Sequence, residues 1–142
     1  MFLKRIAGLG VAAALAAGGF LVAAPAASAS TGNLDDVFAC FDKMDNPHDD
    51  LFWAAWNAGG GAPFKEDVLG HIAAARPLVA EIQCTDDLQP RIAGNLAIIN
   101  TELDSATLSI AKDDWQAAKW SLDRMITSYS QMFSEFDDLI YG

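Results

Sequence analysis

The stretch that decides the fold is residues 113–141, which read DDWQAAKWSLDRMITSYSQMFSEFDDLIY. Apolar residues recur in it at steps of three and four, the spacing that places side chains on one face of an α-helix. We therefore predict one long helix from Asp113 to Tyr141, opened by a capping box of Asp113 and Gln116. Such a stripe must be buried against partner helices. The stripe consists of Trp115, Ala118, Leu122, Met125, Tyr129, Met132, Phe136 and Leu139.

Two further long helices are predicted upstream from the same spacing. One covers residues 64–83, with a kink or restart near Arg76, because Pro77 lacks the backbone donor that a helix interior needs. The other runs from near Pro90 to near Lys112, and a short link joins it to residues 113–141 as an antiparallel hairpin. The apolar positions are Val68, Ile72, Ala75, Val79 and Ile82 in the first, and Ile92, Leu96, Ile99, Leu103, Ala106 and Ile110 in the second.

The remaining segments predict shorter helices. Residues 34–44 have an acidic first turn and an apolar face, as expected at the start of a helix. Residues 51–56, LFWAAW, predict a short aromatic helix of about two turns, capped by Asp49 and followed by a loose loop at Gly59–Gly61. Alternating strand patterns are not sustained anywhere. The predicted fold is all-α: a single up-and-down helical bundle of about four main helices plus one short aromatic helix, stapled by one disulfide.

Residues 1–29 have the three parts of a secretory signal peptide. A basic pair, Lys4 and Arg5, precedes an apolar run rich in Ala, Gly, Leu and Val, and Ala27-Ser28-Ala29 forms a small-residue cleavage site. We predict cleavage before Ser30, which leaves a single helical-bundle domain of residues 30–142. The alternative, an uncleaved membrane anchor, is disfavoured by the glycines, by the proline and by the cleavage site. The Ala-rich signal is typical of bacteria, and we predict a protein secreted to the extracellular space without a stable membrane anchor.

Removal of the signal makes the chain more acidic. The whole chain has a formal net charge of −10, from nine Lys and Arg residues and 19 Asp and Glu residues. Without Lys4 and Arg5, seven basic residues face 19 acidic ones, which gives −12. Nucleic acid and anionic lipid are therefore poor partners. The charge is compatible with a basic partner, with a cation, or simply with solubility outside the cell.

Two cysteines, Cys40 and Cys84, are present, and the compartment predicted for the protein is oxidising. We predict that they form a disulfide. By restricting the unfolded chain, it would stabilise the fold by about 4 kcal/mol in the chain-entropy treatment. A metal site or a catalytic thiol would need nearby His or further Cys residues, and none lies at a useful spacing.

Known catalytic patterns are missing from the chain, including a nucleophile elbow, a zinc-protease motif, a phosphate-binding glycine loop and a haem-attachment motif. Five Asp-Asp pairs occur, and four of them stand where a helix is predicted to start, so helix capping explains them. The fifth, Asp137-Asp138, is interpreted as solvated surface near a helix end. We predict no enzymatic activity and no cofactor.

Metal and haem sites have only weak candidates. Asp67 and His71 are four residues apart and share a helix face, which could supply two metal ligands or give the histidine a carboxylate partner. A partly buried structural histidine is the plainer interpretation. A haem held by His71 and Met125 is the sharper alternative, but no spacing selects it.

The aromatic residues give the better functional hint. The glycines could let the aromatic helix move as a lid over an apolar groove, where Phe52, Trp53 and Trp56 would line a site for an apolar ligand. Trp120 lies opposite the apolar stripe, where it either forms an exposed contact surface or packs under the aromatic helix.

The sequence does not identify a reaction, a partner or an oligomeric state. The leading hypothesis is a secreted, acidic, non-enzymatic module that binds an extracellular protein. The alternative is a carrier of a small apolar ligand in a groove lined by aromatic residues. An enzyme that relies on carboxylates comes third. An exposed Trp120 would favour the first hypothesis, and a cavity lined by Trp53 and Trp56 the second.

Overall fold

The computed structural model of the protein describes residues 33–142, so the predicted signal peptide and its cleavage site lie outside the described residues. These residues fall in two compact units, one of residues 40–134 and one that includes residues 33–39 and 135–142. The assignment of residues 30–142 to a single domain stays a prediction. The helices are α1 (Leu34–Asp45), α2 (His48–Ala58), a 3₁₀ turn (Ala62–Phe64), α3 (Lys65–Ala80), α4 (Gln89–Ala111), α5 (Trp115–Ser134) and α6 (Asp137–Ile140).

The all-α prediction is confirmed: the described residues form a helical bundle and contain no strand. Helix α1 begins after Asn33, whose side chain accepts the backbone N–H of Asp36 at 3.3 Å and donates to its carboxylate at 2.8 Å. The two residues thus satisfy each other as a helix N-terminal cap. Helices α1, α3, α4 and α5 are the predicted main helices, and α2 is the aromatic one.

Helices α2 to α5 alternate in direction within the unit of residues 40–134. The start of α2 lies near the end of α5, where the ring centroids of His48 and Tyr129 are 6.3 Å apart. The end of α2 lies near the start of α5, since a methyl group on Gly59 would be 3.6 Å from Cε of Lys119. The core contains most of the predicted apolar positions: Val68, Ile72, Ala75, Val79, Ile82, Ile92, Ile99, Leu103, Ala106, Ile110, Ala118, Leu122, Met125, Tyr129 and Met132 are all buried.

The second helix of the α4–α5 hairpin begins at Trp115, two residues later than predicted. Asp113 adopts a left-handed backbone conformation, with φ of 61°, and ends α4. Its backbone N–H donates to the Ile110 carbonyl at 3.0 Å, and the backbone N–H of Asp114 donates to the Ser109 carbonyl at 2.8 Å. This is the hydrogen-bond pattern of a Schellman C-terminal cap. Asp114 therefore caps α5 instead, accepting the N–H of Ala117 at 3.1 Å. The predicted capping box of Asp113 and Gln116 is wrong, because Asp113 terminates the previous helix.

The long helix predicted to run to Tyr141 is also wrong at its end, since α5 stops at Ser134. The Ser134 hydroxyl donates to the Gln131 carbonyl at 2.7 Å, which is the acceptor that the next helical N–H would use. A separate turn, α6, then begins with Asp137 and Asp138 in its first turn, where carboxylates interact favourably with the helix dipole. These two aspartates therefore start a helix, whereas the sequence placed them near a helix end.

The disulfide is present between Cys40 and Cys84, whose Cα atoms are 5.2 Å apart, and the described residues contain no free cysteine. It ties α1 to the segment that follows α3. Helix α3 continues through Pro77 to Ala80, so the helix does not restart near Arg76. No helix within residues 33–142 combines the length and the apolarity needed to cross a membrane.

Candidate functional site

The most prominent surface feature is the outward face of α2. Phe52, Trp53 and Trp56 are 39%, 51% and 75% exposed. They face outward because smaller residues fill the inward face of the helix, namely Leu51, Ala54, Ala55 and Ala58, which are all buried. We name Phe52, Trp53 and Trp56 the α2 aromatic surface. Large aromatic side chains exposed together are uncommon on a folded protein and mark contact surfaces.

A series of ring contacts anchors one edge of this surface to the core. The imidazole of His48 stacks on Phe52 with centroids 4.6 Å apart, and Phe52 meets the ring of Tyr129 edge-on at 6.2 Å. Tyr129 in turn contacts Phe133 at 5.3 Å, and Phe133 contacts Phe41 at 5.5 Å. Such edge-on and tilted pairs are favourable aromatic geometries. The position of α2 on α5 is therefore fixed by aromatic packing.

Tyr129 is the buried member of this series, 2% exposed. Its hydroxyl donates to the Met44 carbonyl in the last turn of α1 at 2.7 Å. Burial raises the pKa of Tyr129, and the negative charges of Asp45 and Asp49 raise it further. The group is thus held neutral and is placed to donate a structural hydrogen bond.

The glycine segment after α2 forms a short turn rather than the loose loop that was predicted. The backbone N–H groups of the three glycines each donate a hydrogen bond to the carbonyl three residues earlier. The distances are 3.1 Å for Gly59 to Trp56, 2.9 Å for Gly60 to Asn57 and 3.1 Å for Gly61 to Ala58. Gly61 adopts φ of 74°, a conformation that glycine accepts without steric cost. Helix α2 itself has 11 residues and so is longer than predicted, and Asp49 lies in its first turn while Pro47 occupies the cap position.

Carboxylates border the α2 aromatic surface at the N-terminal end of α2. Asp45 and Asp49 are exposed, and the Oδ1 atom of Asp49 lies 2.9 Å from Nδ1 of His48. The chain has no Lys or Arg from residue 44 to residue 64. The nearest lysine before this stretch, Lys43, donates its ammonium to the Gln83 carbonyl at 3.0 Å. Aromatic rings and negative charge therefore dominate this part of the surface.

Trp120 lies on a different flank of the protein, 71% exposed, so the alternative in which it packs under the aromatic helix is wrong. The guanidinium of Arg124 lies 5.4 Å from the centroid of its ring, in cation–π geometry. Arg124 also forms a bidentate pair with Glu102 of α4, at 2.8 and 3.0 Å, and this hydrogen bonding raises the pKa of Arg124. Trp120 thus belongs to the α4 side of α5, whereas Lys119 is on the side that faces α2.

The histidine singled out in the sequence pairs with a different carboxylate from the one predicted. Nδ1 of His71 is 2.9 Å from Oδ1 of Asp50, and both side chains are about one-third exposed. The pair links α3 to α2, and the i,i+4 pairing with Asp67 is not formed. Met125, the second ligand of the haem alternative, is fully buried in the core. Among residues 33–142, no group of three or more His, Cys, Asp or Glu side chains is arranged to hold a metal ion.

Comparison with known proteins adds no name to this site. The chain matches no family model, no curated protein and no solved structure. Of the four residues predicted for binding, three form the α2 aromatic surface and the fourth, Trp120, is separate. Tyr129 was missed as a neighbour of this surface, because its contact with Phe52 joins distant parts of the chain. His48 was also missed, although it is only one helical turn before Phe52.

Proposed function

We propose that this protein is a secreted, non-catalytic binding module that contacts an extracellular protein partner through the α2 aromatic surface. The observation that carries the proposal is the exposure of Trp53 and Trp56 on a helix whose inward face is already filled. Tryptophan is enriched among the residues that dominate binding energy at protein interfaces. The support for secretion is the signal-like sequence of residues 1–29 together with the disulfide, a bond that persists in oxidising compartments.

The alternative, a carrier of a small apolar ligand, needs the same aromatic residues to face an enclosed space. Pockets for small ligands bury most of the ligand surface. Trp56 is 75% exposed, so its ring faces outward and offers a flat contact rather than an enclosing wall. The exposure of Trp120 was expected to favour a binding module over a carrier, but Trp120 lies apart from α2, so the support for this surface comes from Trp53 and Trp56. These features support the surface-contact hypothesis more strongly than the carrier.

The test is native mass spectrometry of the protein recovered from the culture medium of its own cells. The wild type is compared with Trp53→Ala/Trp56→Ala and with the matched control Trp120→Ala, which removes an equally exposed tryptophan elsewhere. We expect an associated protein mass in the wild type and in the control, and its loss in the double variant. A small excess mass that denaturation releases would support the carrier instead. An associated protein that the double variant retains would refute the proposal.

A further inference from the structure

We propose that the partner presents a basic segment whose arginine side chains stack on Trp53 and Trp56, and whose remaining positive charge faces Asp45 and Asp49. This inference rests on the proposed function and adds the chemistry of the partner. It combines two observations, the exposed aromatic rings and the exposed carboxylates next to them.

The charge around the surface is one-sided. Residues 42–50 contain Asp42, Asp45, Asp49 and Asp50 against one basic residue, Lys43, and no Lys or Arg follows up to residue 64. The ammonium of Lys43 donates to the carbonyl of Gln83, and Nδ1 of His71 lies 2.9 Å from Oδ1 of Asp50. Lys119, beside the C-terminal end of α2, pairs with Asp123, and His48 lies 2.9 Å from Asp49, whose side chain stays exposed. Asp45 and Asp49 remain exposed beside the rings. A surface of this kind attracts a cationic segment and orients it.

A second copy of the chain does not fit the same surface. The exported form has a net charge of −12, so two copies repel each other overall, and a second copy brings an excess of acidic residues to an acidic surface. The occupant that complements the surface is therefore a basic segment of another protein.

The other exposed tryptophan shows which cation suits such a ring. Trp120 has its own arginine, since Arg124 covers it at 5.4 Å while the guanidinium also pairs with Glu102. Ring, guanidinium and carboxylate thus form one cluster within the chain. Helix α2 supplies the ring and the carboxylate but has neither Lys nor Arg of its own. A partner's arginine would complete the same arrangement at Trp53 and Trp56.

Arginine is favoured over lysine for a physical reason. The guanidinium is planar and weakly hydrated, so it stacks on an aromatic face and still donates hydrogen bonds to a carboxylate in the plane of the group. An ammonium is strongly hydrated and acts as a point charge. The inference therefore predicts a difference between two peptides that have the same charge.

The test uses defined peptides and isothermal titration of the whole exported protein. The probe is a peptide of alternating Arg and Leu; its controls replace every Arg by Lys, or by citrulline, which keeps the shape and removes the charge. We expect the Arg peptide to bind about tenfold more tightly than the Lys peptide, and the citrulline peptide to bind too weakly to measure. Raising the salt concentration should weaken binding of the Arg peptide, because salt screens the exposed carboxylates.

Variants assign the binding to the surface. Trp53→Ala/Trp56→Ala should weaken binding of the Arg peptide by about tenfold or more. Asp45→Asn/Asp49→Asn should weaken the same binding by about threefold to tenfold. Trp120→Ala, the matched control, should bind like the wild type. Circular dichroism confirms that each variant is folded. Equal binding of the citrulline peptide, equal binding of the Arg and Lys peptides, or binding unchanged by loss of Trp53 and Trp56 would overturn the inference.

This test and the native-mass test can fail separately. If the native partner depends on Trp53 and Trp56 but the Arg peptide does not bind, the proposed function stands and the basic partner is wrong. If the native partner is retained without these tryptophans, the proposed function itself is wrong.

Discussion

Replacing Tyr129 with Phe tests the packing that holds the α2 aromatic surface in place. The substitution keeps the ring contacts with Phe52 and Phe133 and removes only the hydroxyl that donates to the Met44 carbonyl at 2.7 Å. The side chain is 2% exposed, so water cannot readily replace the lost donor. A buried acceptor that loses its partner costs about 1–3 kcal/mol, and we expect a loss of about 1–2 kcal/mol in the free energy of unfolding.

The assay is urea unfolding followed by far-ultraviolet circular dichroism. Tyr129→Phe should lower the urea concentration at the midpoint of unfolding. The slope of the unfolding free energy against urea concentration should stay the same, because the surface exposed on unfolding is unchanged. Tyr141→Phe is the matched control: Tyr141 is exposed, and its variant should unfold like the wild type. A Tyr129→Phe protein as stable as the control would refute the assignment of a stabilising buried hydrogen bond.

The pH dependence of the same pair of proteins adds a second test. Burial raises the pKa of Tyr129 above the ordinary value of 10.0. Above that pH the unfolded chain loses the tyrosine proton before the folded chain does, so the folded state holds more protons and stability falls as pH rises. Below it both states are neutral and this group adds no slope. The stability difference between wild type and Tyr129→Phe should therefore shrink above about pH 10.

Two further predictions concern cross-links between segments. Replacing Cys40 and Cys84 with Ser should lower the free energy of unfolding by about 4 kcal/mol in urea, and reducing the wild type should have the same effect; an unchanged midpoint would mean that the disulfide contributes nothing. A double-mutant cycle between His71→Ala and Asp50→Asn should give a coupling of about 0.5–1 kcal/mol, whereas a cycle between His71→Ala and Asp67→Asn should give no coupling. Coupling to Asp67 instead would support the pairing expected from the sequence.

The fold was largely predictable because helical periodicity persists over many residues. The stripes at residues 68–82 and 92–110 each repeat through several turns, and all of their positions except Leu96 are buried. The ends of α5 were less predictable. Asp113 and Asp114 have the same side chain, and which of them caps the helix depends on how α4 terminates. The apolar spacing continues past Ser134 through Phe136 and Leu139, so it gave no sign that the helix stops at Ser134.

The site was predictable in composition but not in arrangement. The density of aromatic residues singled out Phe52, Trp53 and Trp56, because few folds bury so many large rings on one short helix. Sequence spacing could not tell which rings face outward, since the neighbouring alanines fit the core as well. The partner of His71 was missed because Asp50 is 21 residues away, whereas Asp67 is only one helical turn away.

Hydroxyl-radical footprinting of the tryptophans, read by mass spectrometry, shows directly whether a partner covers the α2 aromatic surface. Trp56 and Trp120 are exposed to nearly the same degree, 75% and 71%, so they should be oxidised at similar rates in the protein alone. In the partner-bound fraction from its own culture medium, oxidation of Trp53 and Trp56 should fall several-fold while that of Trp120 stays the same. If Trp120 were protected while Trp53 and Trp56 were still fully oxidised, the partner would not bind through the α2 aromatic surface.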